Sequence, residues 1–102
     1  MKNTITTEKL KSYFSITKEA LDKAKKALDQ TRLKPAEDFL DMASRYYDDA
    51  HYFEKKGETV TAFAALNYAH GWLDAGARIG LFKVKDSRLF TVDDSAVDYN
   101  NE

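Results

Sequence analysis

Residues 43–80 of the chain read ASRYYDDAHYFEKKGETVTAFAALNYAHGWLDAGARIG. Apolar residues recur every three or four positions on both sides of Gly57, which is the spacing of one face of an α-helix. Gly57 is a natural end for the first helix, because glycine adopts the backbone conformation of a helix stop without strain. The connection is then about two residues long, so we expect the two helices to pack as antiparallel neighbours.

The helix before Gly57 has a recognisable start. Pro35 suits the first turn of a helix, where its missing N–H removes no hydrogen bond. The sequence therefore predicts a helix over residues 35–56. Glu37 and Asp38 would lie near the positive end of the dipole of this helix.

The helix after Gly57, predicted over residues 59–80 with Thr59 as its cap, is apolar around most of its circumference. At about 100° per residue, its first apolar side comprises Ala64, Tyr68, Trp72, Ala75 and Ile79. Its second apolar side comprises Ala62, Leu66, Ala69, Leu73 and Ala77. A helix with so wide an apolar surface is central in a bundle or is buried by a partner.

A further helix and an arm complete the pattern. The first helix is predicted over residues 6–31, with Thr6 or Thr7 as its cap. Its apolar stripe comprises Leu10, Phe14, Thr17, Leu21, Ala24 and Leu28. Residues 81–92 contain two apolar pairs, Leu81–Phe82 and Leu89–Phe90. We expect this segment to form an arm that lies across the bundle, where its apolar pairs cover the second apolar side of the third helix.

These elements predict an all-α fold, an up-and-down three-helix bundle with a C-terminal arm packed on it. A chain of 102 residues has the size of one domain, with little room for another. We place this single domain over residues 1–92 and expect the acidic segment 93–102 to fray.

The composition limits the possible classes of protein. The chain is 43% hydrophobic and 32% charged, and it contains no cysteine. Disulfides and thiolate metal sites are therefore excluded. No segment has the roughly 20 apolar residues of a membrane helix, and no signal-peptide core is visible. We therefore expect a soluble, cytoplasmic protein that does not bind a membrane.

The N-terminal third is basic. Residues 1–34 carry nine Lys or Arg and four Asp or Glu, whereas the whole chain has a net charge of −1. One interpretation is a weak nucleic-acid surface, whose binding would depend steeply on salt. It would use Lys9, Lys11, Lys18, Lys23, Lys25, Lys26, Arg32 and Lys34. The acids are interleaved with these residues, so we favour a solvated helix face without nucleic acid as a partner.

The string FEKKGETVTAFAALNYAHGWLDAGARIGLF, residues 53–82, follows an aromatic-rich helix that contains Tyr46, Tyr47, Asp49 and Ala50. The combination resembles the archaeal domain-of-unknown-function family 357 over roughly residues 36–92. The resemblance implies a small up-and-down three-helix bundle and an archaeal source. It implies no activity, substrate or catalytic residue. A weaker similarity to a tetratricopeptide hairpin covers one repeat, whereas such solenoids need about three.

The few polar residues of the third helix fall in one line, the polar seam, which comprises Asn67, His70, Asp74 and Arg78. His70 and Asp74 are one turn apart and can touch. A carboxylate beside an imidazole raises its basicity, as in a general base. However, the sequence offers neither a nucleophile nor an oxyanion donor nearby. The favoured interpretation is a set of satisfied polar groups on a mostly buried helix, which would fix its register.

A metal site is another interpretation of the polar seam. His70 and Asp74 have the spacing of two ligands on one helical face, and His51 or Asp48 could join them. The sequence lacks the His-x-x-x-His and Glu-x-x-His pairs that metal-binding helical bundles use. We therefore expect no metal and no other cofactor.

Aromatic residues could form a stacking pocket for a ligand or a base, but at helical spacing they are more often core. We expect core positions for Tyr46, Tyr47, Phe63, Tyr68 and Trp72. Tyr52 differs, because it lies on the outer face of its helix among charged residues. It is a candidate surface contact residue.

The sequence favours a non-enzymatic protein–protein interaction or scaffold module. The third helix has more apolar surface than two neighbours and a short arm easily cover. Its partner would be an unknown protein or a second copy in a homodimer. Two alternatives stay open: a small enzyme or ligand-binding protein that uses His70 and Asp74, and a weak nucleic-acid binder that uses the basic first helix.

Overall fold

The computed structural model describes residues 5–92, so the acidic segment predicted to fray, 93–102, lies outside the described residues. The chain forms three α-helices: α1 Thr7–Lys25, α2 Leu33–Lys55 and α3 Thr59–Arg78. A short 3-10 turn, Gln30–Arg32, precedes α2. The helices pack against one another, and residues 5–92 contain no β-strand beyond one isolated bridge. The predicted all-α three-helix bundle is confirmed.

Helix α1 starts as predicted but ends early. The Thr6 hydroxyl accepts a hydrogen bond from the Lys9 N–H at 3.1 Å, so Thr6 is the cap. The helix was expected to reach residue 31, but it ends at Lys25. The following residues turn away because their backbone pairs with the arm: the Asp29 N–H donates to the Leu81 carbonyl at 2.8 Å.

The starts of α2 and α3 also differ from expectation. Helix α2 begins two residues before Pro35, which still lies in the first turn. Glu37 and Asp38 consequently fall in the second turn, beyond the reach of the free N–H groups, and the dipole prediction was wrong. Thr59 is the first residue of α3 rather than its cap, and no side chain caps that end.

Two glycines stop α2 and α3 by the same geometry. Gly57 has φ of 77° and Gly80 has φ of 78°. The N–H after Gly57, on Glu58, donates to the Phe53 carbonyl at 2.9 Å, and the Gly57 N–H donates to the Glu54 carbonyl at 3.0 Å. This pair of hydrogen bonds is the Schellman motif, which needs a left-handed residue and therefore favours glycine. The predicted stop at Gly57 is confirmed.

The core has two apolar clusters that share partly buried Tyr47. The cluster near the start of α1 comprises Leu10, Phe14, Ala50, Ala62, Ala65 and Leu66. The cluster at the opposite end of α1 comprises Ala20, Leu21, Ala24, Ala43, Leu73, Ala77, Phe82, Leu89 and Phe90. Alanine at the helix contacts lets the three backbones approach closely. The arm therefore supplies both buried phenylalanines of this second cluster.

The arm is fixed at its start and near its end. Phe82 is almost fully buried, and its ring lies over Gly76 of α3, where a Cβ atom would come within 2.3 Å of the ring. Leu89 and Phe90 are buried in the same cluster as Leu73 and Ala77. The arm thus covers part of the second apolar side of α3, as predicted.

Asp29 joins the connector between α1 and α2 to the rest of the fold. Its buried carboxylate accepts hydrogen bonds from Thr31 and from the Arg32 guanidinium at 2.8 Å, and Lys83 of the arm lies 3.6 Å away. These hydrogen bonds, first from Thr31 and then from Arg32, hold the pKa of Asp29 well below its usual range. The helix predicted over residues 6–31 would place this residue opposite the apolar stripe of α1, on its outer face. It is instead buried, because the helix ends four residues before it.

The Asp29 pKa predicts an acid-sensitive contribution to stability. A carboxyl whose pKa is lower in the folded than in the unfolded chain stabilises the fold above its unfolded pKa of about 4. This contribution disappears as the pH falls through the folded pKa. We expect Asp29→Asn to lower the free energy of unfolding at pH 7 and to flatten its decline below about pH 5. Urea denaturation at a series of pH values measures both effects.

The matched control is Asp41→Asn, which changes an exposed carboxylate that pairs with Arg45 on α2. It should leave the acid slope close to that of the wild type. An unchanged slope in Asp29→Asn would contradict the prediction.

Replacing each of two glycines inside α3 by alanine should change the free energy of unfolding in opposite directions. A Cβ at Gly76 would overlap the Phe82 ring, whereas a Cβ at Gly71 meets nothing within 4 Å. We expect Gly76→Ala to destabilise the fold by about 1–3 kcal/mol through overpacking. Gly71→Ala should stabilise the fold by up to about 1 kcal/mol, because alanine favours the helix. Chemical denaturation in dilute solution compares the two, and a loss of stability in Gly71→Ala would contradict the second expectation.

Candidate functional site

The structure divides the polar seam into two parts. His70 and Asp74 are partly buried and face α1 and the arm, with side chains 23% and 30% exposed. Asn67 and Arg78 are exposed. Asn67 lines the same cleft as His70 and Asp74, but Arg78 does not. The helical spacing alone could not predict this division, because the path of the arm decides which part is covered.

Both ring nitrogens of His70 have partners. Nε2 donates to the Leu89 carbonyl at 2.5 Å, since a carbonyl oxygen only accepts. In the neutral ring Nδ1 then accepts from the Thr17 hydroxyl, whose oxygen is 3.3 Å away. Thr17 is buried, so this contact satisfies a hydroxyl that would otherwise lack a partner. His70 therefore links α1, α3 and the arm.

Asp74 holds the end of the arm. Its Oδ1 accepts from the Thr91 N–H and its Oδ2 from the Thr91 hydroxyl, each at 2.9 Å. The distance from His70 Nε2 to Asp74 Oδ1 is 3.9 Å, which is too long for a hydrogen bond. The carboxylate thus orients the arm rather than the imidazole, although the two side chains lie within contact distance as their spacing allows.

A cleft of about 380 Å³ lies beside these residues. Its polar lining includes Thr17, Asn67, His70 and Asp74, together with Arg88 from the arm. The Arg88 guanidinium donates to Glu19 at 2.6 Å, which lowers the pKa of the Glu19 carboxyl and raises that of Arg88. The cleft therefore contains a cation that is already engaged by an acid.

The other predicted site residues lie apart from this cleft. Tyr52 is 56% exposed, as expected for a surface contact, and its hydroxyl accepts a hydrogen bond from Lys56 at 3.1 Å. His51 stacks on Phe14 with 4.3 Å between ring centroids and lies 3.3 Å from Glu54. Its partners differ from those of His70. Within residues 5–92, no three His, Cys, Asp or Glu side chains gather as they would around a metal ion.

The basic residues considered for nucleic-acid binding are all exposed. Three of them face acids: Lys18 pairs with Asp22 at 2.9 Å, Lys23 with Asp86 at 3.2 Å and Arg32 with Asp29 at 2.8 Å. The interleaved acids noted in the sequence therefore neutralise part of this face.

The first apolar side of α3 is the second candidate surface, and most of it is uncovered. Tyr68 is 63% exposed, Val60 55% and Ile79 53%. Together with exposed small residues these form one line, here named the exposed stripe, which comprises Val60, Ala64, Tyr68, Gly71, Ala75 and Ile79. The neighbouring Trp72 is half-buried against Phe39, with 5.0 Å between ring centroids.

The prediction that Tyr68 is a core residue was wrong. Its ring stacks on Tyr46 at 5.2 Å between centroids but stays in solvent. A shallow groove of about 350 Å³ adjoins it, lined by Phe39, Asn67, Tyr68, Gly71, Trp72 and Ala75. Exposed apolar patches of this kind mark protein interaction sites or ligand-binding grooves.

Some residues that contribute to the polar seam contacts or to the exposed stripe were not predicted from the sequence. Arg88 and Thr91 belong to the arm, whose apolar pairs predicted that it packs on the bundle but did not predict which of its polar residues meet the polar seam. Thr17 could have been predicted from the sequence, because a hydroxyl that lies in the apolar stripe of a helix needs a buried hydrogen-bond partner. Val60 lies one turn before Ala64 and extends the first apolar side of α3, which is visible from spacing alone.

The sequence model of a family described as a protein of unknown function (DUF357) matches residues 12–82. The chain belongs to this family. The matched range contains most of α1, all of α2 and α3, and the first two residues of the arm, so it starts earlier than the resemblance noted from the sequence. No curated protein and no solved structure matches the chain. Among residues 5–92, no helix of the DUF357 chain has the length and apolar character needed to cross a membrane.

The contacts of Asp74 predict how firmly the arm is held. We expect Asp74→Ala to destabilise the fold by about 1–2 kcal/mol, because it removes two hydrogen bonds to a charged group at a partly exposed site. Hydrogen exchange should accelerate at the Thr91 amide and remain slow at the Lys83 amide, which donates to the Ala27 carbonyl. Asp48→Ala, at an exposed position of α2, is the control. Equal acceleration at both amides would show that Asp74 does not act locally.

Proposed function

We propose that this DUF357 protein is a non-enzymatic interaction module that docks a protein partner along the exposed stripe of α3. The observation that carries the proposal is an apolar line that runs the length of a 20-residue helix and is left open by both α2 and the arm. Isolated exposed apolar residues are normal, whereas a contiguous line of them points to a binding surface.

Gly71 adds a second reason. A glycine in the middle of a helix costs up to about 1 kcal/mol relative to alanine, and a Cβ at this position would meet nothing in the chain itself. Packing within the monomer therefore does not account for Gly71. A partner that approaches the α3 backbone closely accounts for it, since only glycine leaves that space free.

The contacts of the polar seam support a structural role for His70 and Asp74. The two nitrogens of His70 and the two oxygens of Asp74 are already used by Thr17, Leu89 and Thr91. A general base needs a free lone pair directed at a substrate. We therefore assign these residues to arm attachment and place the function on the opposite surface of α3, with no cofactor required.

The cellular setting belongs to the same proposal. We infer a cytoplasmic protein of archaeal origin, on the absence of cysteine and on the family resemblance. Tyr52, the candidate contact residue on the outer face of α2, lies outside the exposed stripe, and we assign it no contact with this partner.

Affinity capture with matched tyrosine variants tests the proposal. We expect Tyr68→Lys to lose the partners that the wild-type chain retains, because it places a charge in the middle of the exposed stripe. Tyr52→Lys changes a similarly exposed tyrosine on α2 and should retain them. Circular dichroism must show that both variants keep the helical fold. If the two variants capture the same proteins as the wild type, the exposed stripe is not the docking surface.

A further inference from the structure

The exposed stripe has a symmetric order of side chains. Its members are spaced by four, four, three, four and four residues, so the sequence of gaps is the same in both directions. About the midpoint between residues 69 and 70, Val60 mirrors Ile79 and Ala64 mirrors Ala75. Two α3 helices packed antiparallel on a two-fold axis at this midpoint would therefore place aliphatic against aliphatic and alanine against alanine.

The central pair of this arrangement matches a large residue to an empty space. Tyr68 mirrors Gly71 about the same midpoint. The groove of about 350 Å³ beside Gly71 is apolar on most of its lining, and no atom of the chain occupies the space of a Cβ there. The Tyr68 ring of a second copy would fill this groove. In return, the Tyr68 ring of the first copy would fill the groove beside Gly71 of the second copy. Such reciprocal filling is what a self-complementary interface requires.

Charge at the ends of the stripe favours the same arrangement. Glu58 lies just before the first residue of α3, and Arg78 is the last residue of that helix. Both are exposed. In the antiparallel pair, Glu58 of one copy would lie about one helical turn from Arg78 of the other. The two helix dipoles would also oppose each other, so that unlike ends meet.

We propose that the exposed stripe binds a second copy of this chain, in an antiparallel pair of α3 helices whose two-fold axis passes between Tyr68 and Gly71. This inference rests on the proposed function, because it names the partner of the surface described there. The small residues Ala64, Gly71 and Ala75 set a close approach of the two backbones, and Tyr68 with the terminal aliphatic residues supplies the buried area.

The size of the surface sets the strength of the dimer. Helix α3 is about 30 Å long and presents a face about 10 Å wide, so the two copies together cover roughly 600 Å² on α3 alone. Stable interfaces bury about 1,200–2,000 Å². We therefore expect a reversible dimer with a dissociation constant in the micromolar to millimolar range, in which the rings of Tyr46 and Phe39 at the edge add to the contact.

Cysteine cross-linking tests the register of the pair. The full chain contains no cysteine, so each introduced thiol is unique. Ala64→Cys and Ala75→Cys replace exposed small residues. In a mixture of the two variants, Cys at one position faces Cys at the other, within the Cα separation of about 4.4–6.8 Å that a disulfide needs. In either variant alone, the two equivalent thiols lie about 16 Å apart along the helices.

With oxidised glutathione as the oxidant, we expect the mixture to form the mixed disulfide dimer and each variant alone to stay largely uncross-linked. Efficient cross-linking of Ala64→Cys with itself would indicate another register or a parallel pair, and would overturn the proposal. Absence of the mixed dimer at millimolar concentration would overturn it as well.

Sedimentation equilibrium provides the second measurement. The average mass of the wild-type chain should rise from 11.6 kDa toward twice that value between micromolar and millimolar concentration. Gly71→Gln, whose Cβ would meet nothing within 4 Å in the monomer and whose side chain would occupy the receiving groove of the dimer, should weaken self-association by roughly tenfold or more. Glu37→Gln is the control, because Glu37 lines the groove between α1 and α2 and lies away from the stripe. Equal association of the two variants would contradict the proposal.

The outcomes separate this inference from the proposed function. If the wild-type chain stays monomeric but Tyr68→Lys alone loses captured partners, the exposed stripe is a docking surface for a different protein, and only the second-copy inference is overturned. If neither self-association nor selective capture depends on the stripe, both are overturned.

Discussion

The architecture depends on the junction where the connector between α1 and α2 meets the start of the arm. The buried carboxylate of Asp29 accepts hydrogen bonds from Thr31 and Arg32 of the 3-10 turn before α2, and it faces Lys83 of the arm. Arg32 also donates to the Ile79 carbonyl at the end of α3 at 3.0 Å. The Asp29 carboxylate and the Arg32 guanidinium that it binds thus join the ends of all three helices. These hydrogen bonds are needed together, because a buried carboxylate without partners costs free energy.

This junction determines which surfaces of α3 are covered. It directs the arm into the groove between α1 and α3, where Phe82 lies over Gly76 and the arm ends on Asp74. In this groove the arm covers part of the second apolar side of α3, together with His70 and Asp74 of the polar seam. The first apolar side, with Tyr68 at its centre, is left to solvent. Attachment of the arm and exposure of the stripe are therefore two results of the same constraint.

Much of the fold follows from local physical chemistry. Apolar spacing, the Thr6 cap and the Gly57 stop are properties of neighbouring residues, so the helices and the antiparallel hairpin were predictable from the sequence. The end of α1 was not, because Leu28 fits the apolar period but pairs with Phe82 instead. A contact across more than fifty residues leaves no periodic signal. It outweighs the modest propensity that would have continued the helix.

The sequence by itself determined the three helices, the two apolar sides of α3 and the polar seam on the same helix, since each depends on intervals of three and four residues. Only the tertiary structure decided the use of those surfaces. His70 and Asp74 hold the arm, while Tyr68 and Gly71 face outward, and both assignments follow from the path of residues 81–92. That path is fixed by burial of aromatic side chains and by a buried carboxylate, interactions between segments that are distant in the chain.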